Sequence, residues 1–230
     1  MTIRGKAFIA GASVQDPQPQ VQIIADPNAE YKYVNDVLFL LQKGEIKKGE
    51  IKTWNDLLDP KWKGRMLGDD LRLSGAGGAM LEATWHAFGR EFHEALAKQE
   101  VSVTRNNREA ERRVARGEYP VYFPQQLPYA LTLKGLPVKM IVPEEGVVYA
   151  QAQFALLTGA PHVNAARLLT QFMLEPESQL YFANSGVIPV VNGIAEKTND
   201  DARPYMSSKF FGAGTFEHQE RLLKLAAEIY

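Results

Sequence analysis

Apolar strand candidates alternate along this chain with amphipathic helices, and the alternation limits the folds open to it. The strongest helix signal spans residues 78–98, where large apolar side chains recur at the spacing of one helix face: Leu81, Trp85, Phe88, Phe92 and Leu96. Strand candidates lie on both sides of this segment. Strands that alternate with helices of ten or more residues predict an α/β fold with a largely parallel or mixed sheet.

The same patterns predict the remaining elements. Strands are expected at 21–25, 31–41, 118–123, 138–142 and 147–157, and helices at 108–116, 164–174, 176–186 and 216–230. Pro176 suits the first turn of a helix, where its missing N–H would have no intrahelical acceptor. No clean linker interrupts the chain. Two lobes would therefore require the chain to cross between them more than once.

Composition excludes several classes of protein. Lysine and arginine number 26 against 27 acidic residues, a balance that favours neither a nucleic acid nor an anionic membrane as partner. Cysteine is absent, so disulfides, thiolate metal sites and cysteine nucleophiles are excluded. No apolar run approaches the ~20 residues needed to span a bilayer. Residues 1–14 lack a clean cleavage signature, so we expect the chain to carry no signal peptide.

The side chains that commonly carry catalysis form no familiar constellation. Four histidines without metal-ligand spacing are present: His86, His93, His162 and His218. His86 and His93 share a predicted helix, and we expect one at the apolar edge and the other in solvent. The adjacent acids Asp69-Asp70 and those at 144–145 are expected in exposed turns. No HExxH or GxSxG motif occurs, so we expect no enzyme, no metal site and no cofactor.

The most informative local feature is the Ser74-Gly75-Ala76-Gly77-Gly78 cluster at the start of the predicted helix. Its open backbone N–H groups and the helix dipole would bind a carboxylate, phosphate, phosphonate or sulfonate. An equally weighted interpretation is that Ser74 caps the helix and the glycines only permit a tight turn. The cluster is not a Walker P-loop, because no lysine follows the glycines.

Two other polar segments adjoin predicted elements. Asn106 and Asn107 precede a helix, where capping is a stronger interpretation than ligand binding. Gln125, Gln126 and Tyr129 follow the strand predicted at 118–123. Ligands of α/β proteins tend to sit at strand ends, although a polar turn explains these residues almost as well.

Several segments occur in the order typical of one family. They are TWNDLLDPKWKGRM (53–66), SGAGG (74–78), FG (88–89), RGEYPV (116–121), GLPVKMIVPEEG (135–146) and FMLEPESQLYFANSGVIPV (172–190). Over residues 30–230 the chain resembles the ferric-ion-binding type of periplasmic solute-binding protein, which serves ABC importers. Proteins of this type have the type 2 periplasmic binding fold. The tryptophan-containing segment is the most specific of these motifs.

This resemblance implies a two-lobed α/β clamp without chemistry of its own. Residues 1–51 would be a remnant of lobe 1 and the hinge, 52–147 lobe 2, 148–205 a return to lobe 1, and 206–230 a C-terminal helix on lobe 2. A solute would bind between the lobes in the periplasm, and an ABC permease in the inner membrane would recognise the closed form.

Two departures from the family pattern shape our expectations. Family members normally begin with a further segment, so we expect a truncated chain with lobe 2 complete and lobe 1 partial. We expect a homodimer to cover the exposed surface. The tyrosine pair of ferric members falls here at Leu127 and Pro128, which cannot bind iron, and Tyr129 alone is a poor substitute.

The resemblance also assigns a predicted ligand set. Ser74, Gly75 and Ala76 match the anion-holding loop, Asn107 matches an anion-contacting asparagine, and Gln125 replaces another. The full set is Arg72, Ser74, Gly75, Ala76, Gly77, Asn107, Gln125, Tyr129 and Tyr149. A small anionic solute such as an organic acid or phosphonate fits this set best. A ferric-iron carrier and a ligand sensor without transport are the alternatives.

Overall fold

The computed structural model describes residues 36–42, 50–149, 161–206, 208–213 and 216–230. Within these ranges the strands are β1 (Asp36–Gln42), β2 (Met66–Asp69), β3 (Ser102–Thr104), β4 (Val121–Gln126), β5 (Val138–Ile141), β6 (Val147–Tyr149) and β7 (Phe210–Ala213). The α-helices are α1 (Ala76–Ala97), α2 (Asn107–Ala115), α3 (Leu127–Ala130), α4 (Val163–Leu174), α5 (Pro176–Asn184) and α6 (Phe216–Ile229). No helix in these ranges is long and apolar enough to cross a membrane.

These strands form one mixed sheet in the order β3-β2-β4-β1-β6-β7, with β5 paired to β1. β2 is parallel to both β3 and β4, whereas β1 is antiparallel to β4, β5 and β6. The predicted α/β architecture with a mixed sheet is therefore confirmed. Because β3, β2 and β4 run in the same direction, their carboxyl ends meet at one edge of the sheet.

Most predicted elements are present with shifted bounds. The helix predicted at 78–98 begins at Ala76, and Gly89 interrupts it with φ 71° and ψ −169°. β4 continues to Gln126, so placing Gln125 in a loop was wrong. β2, β3 and β7 were not predicted, because strands of three or four residues are too short to show an alternating pattern. The strand predicted at 21–25 and residues 150–157 lie outside the described residues.

The tryptophan-containing motif packs into the main core. Trp54 and Leu57 are fully buried beside the apolar side of α1. Asp56 shapes the turn, since its carboxylate accepts the backbone N–H groups of Lys52 at 2.7 Å and Thr53 at 2.8 Å. The Trp54 Nε1 donates to the Gly146 carbonyl at 3.2 Å. The most specific sequence motif therefore stabilises the fold through packing and turn geometry.

Further cores cover the other surfaces of the sheet. α2 packs through Ala110 and Val114 against Leu67 and Tyr122, on the side of the sheet opposite α1. A separate cluster joins α3, β6, α5 and the segment 194–206, and its buried members are Leu127, Val147, Ala183, Ile194, Ala202 and Met206. The structure therefore covers both faces of the β2–β4 region with helices.

His93 fixes the C-terminal helix to α1. Its ring is fully buried, its Nε2 lies 3.1 Å from the Thr84 hydroxyl, and its Nδ1 lies 2.8 Å from the Tyr230 hydroxyl. Burial lowers the pKa of His93 from 6.5 to about 4. His86, on the same helix, is exposed, which confirms that one histidine is buried and the other faces solvent.

We expect acid to weaken the fold through His93. The folded pKa lies below the unfolded one, so this stabilising contribution is complete above pH 6.5 and is lost as the pH falls toward 4. Urea unfolding at pH 7 and pH 4 should show that His93→Gln loses less stability on acidification than the wild type, by up to about 3 kcal/mol. His86→Gln is the matched control and should follow the wild type. Equal pH dependence in His93→Gln and the wild type would contradict this account.

Candidate functional site

The carboxyl ends of three parallel strands meet the amino ends of two helices. β2 leads into the loop before α1, and β3 leads into α2 through Asn106. β4 ends beside them because it pairs in parallel with β2. Ligands of α/β proteins bind preferentially at this edge of the sheet, so we examine it as the candidate site.

The glycine loop opens α1 without a side-chain cap. Gly75 is the N-cap residue and has φ 124°, a conformation that a residue with a Cβ rarely adopts. Ser74 is exposed and makes no capping hydrogen bond, so the capping interpretation was wrong. Gly77 is buried, and a Cβ there would lie 2.6 Å from the Asp70 carbonyl oxygen. The glycines thus allow the helix start to pack tightly on the end of β2.

Asp69 lies at the start of α1. Its Oδ2 accepts the Gly77 backbone N–H at 3.3 Å, and its Oδ1 accepts the Asp70 N–H at 2.9 Å. Burial raises the pKa of the Asp69 carboxyl above its ordinary value, and these backbone donors oppose that rise. One of the amides predicted to hold an anion is therefore already bonded to an internal carboxylate.

Asp70 is buried, with 2% of its surface exposed, so the expectation of an exposed acidic turn was wrong. Arg72 binds it through two side-chain contacts, Nε to Oδ1 at 2.8 Å and a terminal nitrogen to Oδ2 at 3.1 Å. Arg105 adds contacts to Oδ2 at 3.1 and 3.2 Å. These hydrogen bonds, with that from Arg72 first, lower the pKa of Asp70 to about 2. The predicted ligand residue Arg72 thus also fixes the loop.

The other predicted residues occupy different surroundings. Asn106 caps α2 by accepting the Glu109 N–H at 3.1 Å, and Asn107 is the half-buried first residue of the helix. Tyr129 is half-buried, and the Arg108 guanidinium lies 5.2 Å from its ring centroid. Tyr149 donates its hydroxyl to the Ser208 carbonyl at 2.9 Å. Tyr149 therefore stabilises the β6–β7 region, and its ligand-binding role remains a prediction.

Gln125 joins a buried polar cluster between the sheet and α2. Its Nε2 donates to Glu111 Oε1 at 2.8 Å, and both residues are buried. Burial raises the pKa of the Glu111 carboxyl, while the Gln125 hydrogen bond and the charges of Arg108 and Arg112 oppose the rise. Sequence reasoning missed Glu111, because it lies within a strongly charged helix. One spacing could have indicated its burial: Glu111 lies three residues before the apolar Val114, so the two side chains share a face of the helix.

A cavity of about 250 Å³ opens beside the end of β2 and includes Asp69, Asp70 and Arg72 in its lining. No group of three or more His, Cys, Asp or Glu side chains that could hold a metal ion occurs among the residues that the structure describes. Leu96 at the end of α1 and Tyr230 line this cavity as well, whereas the glycine loop, Asn107 and Gln125 are not among its lining residues.

A sequence profile of the bacterial extracellular solute-binding proteins matches residues 22–213. The chain belongs to this family. A relative from Haemophilus influenzae, an uncharacterised protein, is 29% identical over 133 residues, which are 56% of this chain and 38% of that protein. The chain therefore aligns with well under half of the length of that relative.

Many solved structures resemble the chain, and three of them illustrate the range. Iron-bound HitA from Pseudomonas aeruginosa is 21% identical, with a TM-score of 0.65 over 86% of this chain and 67% of that one. The sulfate-binding protein SubI from Mycobacterium tuberculosis is 21% identical, with a TM-score of 0.61 over 82% and 67%. AfuA from Actinobacillus pleuropneumoniae, with fructose-6-phosphate bound, is 23% identical, with a TM-score of 0.58 over 85% and 66%. The predicted type 2 periplasmic binding fold is confirmed.

Removing the Asp70 charge should loosen the loop before α1. We expect Asp70→Asn to lower the free energy of unfolding at pH 7 by about 1–2 kcal/mol, a modest loss because both arginines are partly exposed. The folded pKa lies below the ordinary value, so the difference should disappear as the pH falls from 3.8 toward 2. Asp201→Asn, at an exposed Lys134 pair, is the control for a simple loss of charge. Equal effects of the two substitutions in urea unfolding would contradict a special role for Asp70.

Proposed function

We propose that this chain is the solute-binding component of an ABC importer and that it binds a small anionic solute at the start of α1. The observation that carries the proposal is the exposed, uncapped Ser74-Gly75 start of a long helix at the carboxyl edge of parallel strands. The first-turn N–H groups of a helix have no intrahelical acceptors and carry partial positive charge. Asn107, at the start of α2, belongs to the same edge of the sheet and is the second residue that we propose for this site.

The residues of α3 favour an anion over bare ferric ion. Leu127 is buried, and neither it nor Pro128 supplies a ligand for iron. Tyr129 lies against the Arg108 guanidinium, whose positive charge opposes a trivalent cation. The similar structures do not decide between the two, because they include iron-bound HitA as well as a sulfate-binding protein and one with a sugar phosphate bound. A ferric-iron carrier therefore remains the second candidate.

We infer the transport role from the family to which the chain belongs. Binding proteins of this kind close around a solute by a hinge motion, and the closed form is what a permease can distinguish from the open one. We propose the same sequence of events here, in the periplasm, without a chemical step. The proposed boundaries are lobe 2 at 52–147, a return of 148–205 to lobe 1, and a C-terminal helix on lobe 2.

Thermal shift against organic acids, phosphonates, phosphate esters and ferric salts tests this function. A bound solute at 100 times its Kd stabilises the folded state by about 2.7 kcal/mol, which should raise the melting temperature measurably. We expect an organic anion to produce this shift and ferric salts to produce none. Ser74→Trp should abolish it, because the indole would cover the helix start.

Ser185→Trp, at an exposed position after α5, is the matched control and should keep the shift. A shift that survives Ser74→Trp would contradict the anion-loop assignment. A shift with ferric salts alone would replace the anion proposal with the iron carrier.

We also propose that a second copy covers the apolar surface of α4. Leu168 is 68% exposed, Leu169 60% and Phe172 61%, and α4 has no buried residue. The same patch on two copies can make an isologous contact, in which each copy removes the apolar surface of the other from water.

Light scattering coupled to size-exclusion chromatography at micromolar concentration tests the dimer. We expect a dimer for the wild type and a monomer for Phe172→Glu, because a buried, unpaired carboxylate opposes the contact. Leu136→Glu, at another exposed leucine, should remain dimeric. A monodisperse wild-type monomer would contradict the proposal.

A further inference from the structure

Arginine side chains form an exposed row along α2. They are spaced by three, four and four positions: Arg105, Arg108, Arg112 and Arg116. This spacing places the last three on one face of the helix, and Arg105 lies just before α2 begins. All are exposed, the side chains of Arg105 and Arg112 at 68%. The whole chain has a formal net charge of −1, so the row is a local concentration of positive charge.

Carboxylates of the chain neutralise the two ends of the row. Arg116 contacts Glu118 at 2.8 Å and Glu109 at 3.1 Å. At the other end, Arg105 contacts the buried Asp70 at 3.1 Å. These contacts lie within the chain, so the end arginines already have acidic partners of their own.

The two central arginines lack a close acidic partner. Arg112 approaches only Glu109, at 3.9 Å. Arg108 forms no salt bridge with any acid in the part of the chain that the structure describes, and it contacts the Tyr129 ring and Thr132 instead. Both arginines act on the buried Glu111 through their charge alone. Their guanidinium groups are therefore available to acidic groups outside the chain.

Arg108 lies where a helix disfavours a cation. It is the second residue of α2, and the amino end of a helix carries partial positive charge, which acidic side chains stabilise. Arg112 is in the last turn, where the helix dipole favours a cation. The Tyr129 ring centroid, 5.2 Å from the Arg108 guanidinium, and the Thr132 hydroxyl, 3.5 Å from a terminal nitrogen, hold the side chain in place. An exposed cation fixed at an unfavourable helix position indicates a role other than stabilising the fold.

We infer that the surface formed by Arg108, Arg112 and Tyr129 docks an acidic surface of a partner protein. The two arginines are one helical turn apart, so they present N–H donors to neighbouring carboxylates. Arginine and tyrosine are also the residue types that contribute most at protein interfaces. The partner is the permease of the proposed importer. That identification rests on the proposed function, whereas the acidic character of the partner follows from the charge of α2.

Fluorescence anisotropy with a labelled hexaglutamate peptide tests the acidic partner, using the full chain at low ionic strength. We expect the wild type to bind the peptide, and the double variant Arg108→Glu/Arg112→Glu to bind it at least about tenfold more weakly. The control is Lys98→Glu/Lys139→Glu, which changes two exposed lysines elsewhere and has the same net charge. It should bind like the wild type. Arg108→Glu suits the amino end of α2, so the arginine variant should melt no lower than the lysine variant.

Several results would overturn the docking inference. These are no peptide binding to the wild type, equal loss in the two double variants, and loss in Ser74→Trp with binding kept in the arginine variant. Binding to phosphatidylglycerol vesicles without binding to the peptide would replace the partner protein with a membrane. Peptide binding is measured without solute, so a failure to bind any solute contradicts the proposed function alone.

The ATPase activity of the importer's permease in nanodiscs tests the identity of the partner. We expect the wild type to stimulate this activity, the arginine variant to stimulate it less, and the lysine variant to match the wild type. Equal stimulation by the two variants would overturn the permease as the partner.

Discussion

The parallel ladder that pairs Met66, Leu67 and Gly68 with Val121, Tyr122 and Phe123 sets the edge of the sheet at which we propose that a solute binds. It brings the carboxyl ends of β2 and β4 to one edge, beside the starts of α1 and α2. Tyr122 is directed to the α2 side of the sheet and Phe123 to the α1 side, because side chains alternate along a strand. The polar cluster and the main core therefore lie on opposite faces of the same short strand.

Internal carboxylates balance the charge at this edge. Asp69 occupies one amide at the start of α1, and Asp70 binds Arg72 and Arg105 beneath the loop. The helix start is thus held in position by internal contacts, so a solute bound there as we propose would lose less conformational entropy of the loop. The two acids also reduce the positive potential of the loop.

Sequence patterns predicted the α/β fold, most helices and the glycine loop because these depend on local spacing. The helix face of Leu81, Phe92 and Leu96 could be counted directly, and so could the proline at the start of α5. The short strands could not, because β2 becomes a strand only through its partners β3 and β4. The same holds for the candidate site. Asp70 is held by Arg105 from another segment of the chain, and Glu111 by Gln125 from the next strand. The sequence around Asp70 or Glu111 alone therefore could not reveal these contacts.

Hydrogen exchange measured by mass spectrometry, with and without the tightest-binding anion, tests the central claim most directly. If the solute binds at the start of α1, its anionic group accepts first-turn N–H groups, and peptides covering 74–80 should exchange more slowly when it is present. Protection confined to other parts of the chain, with 74–80 unchanged, would contradict the account.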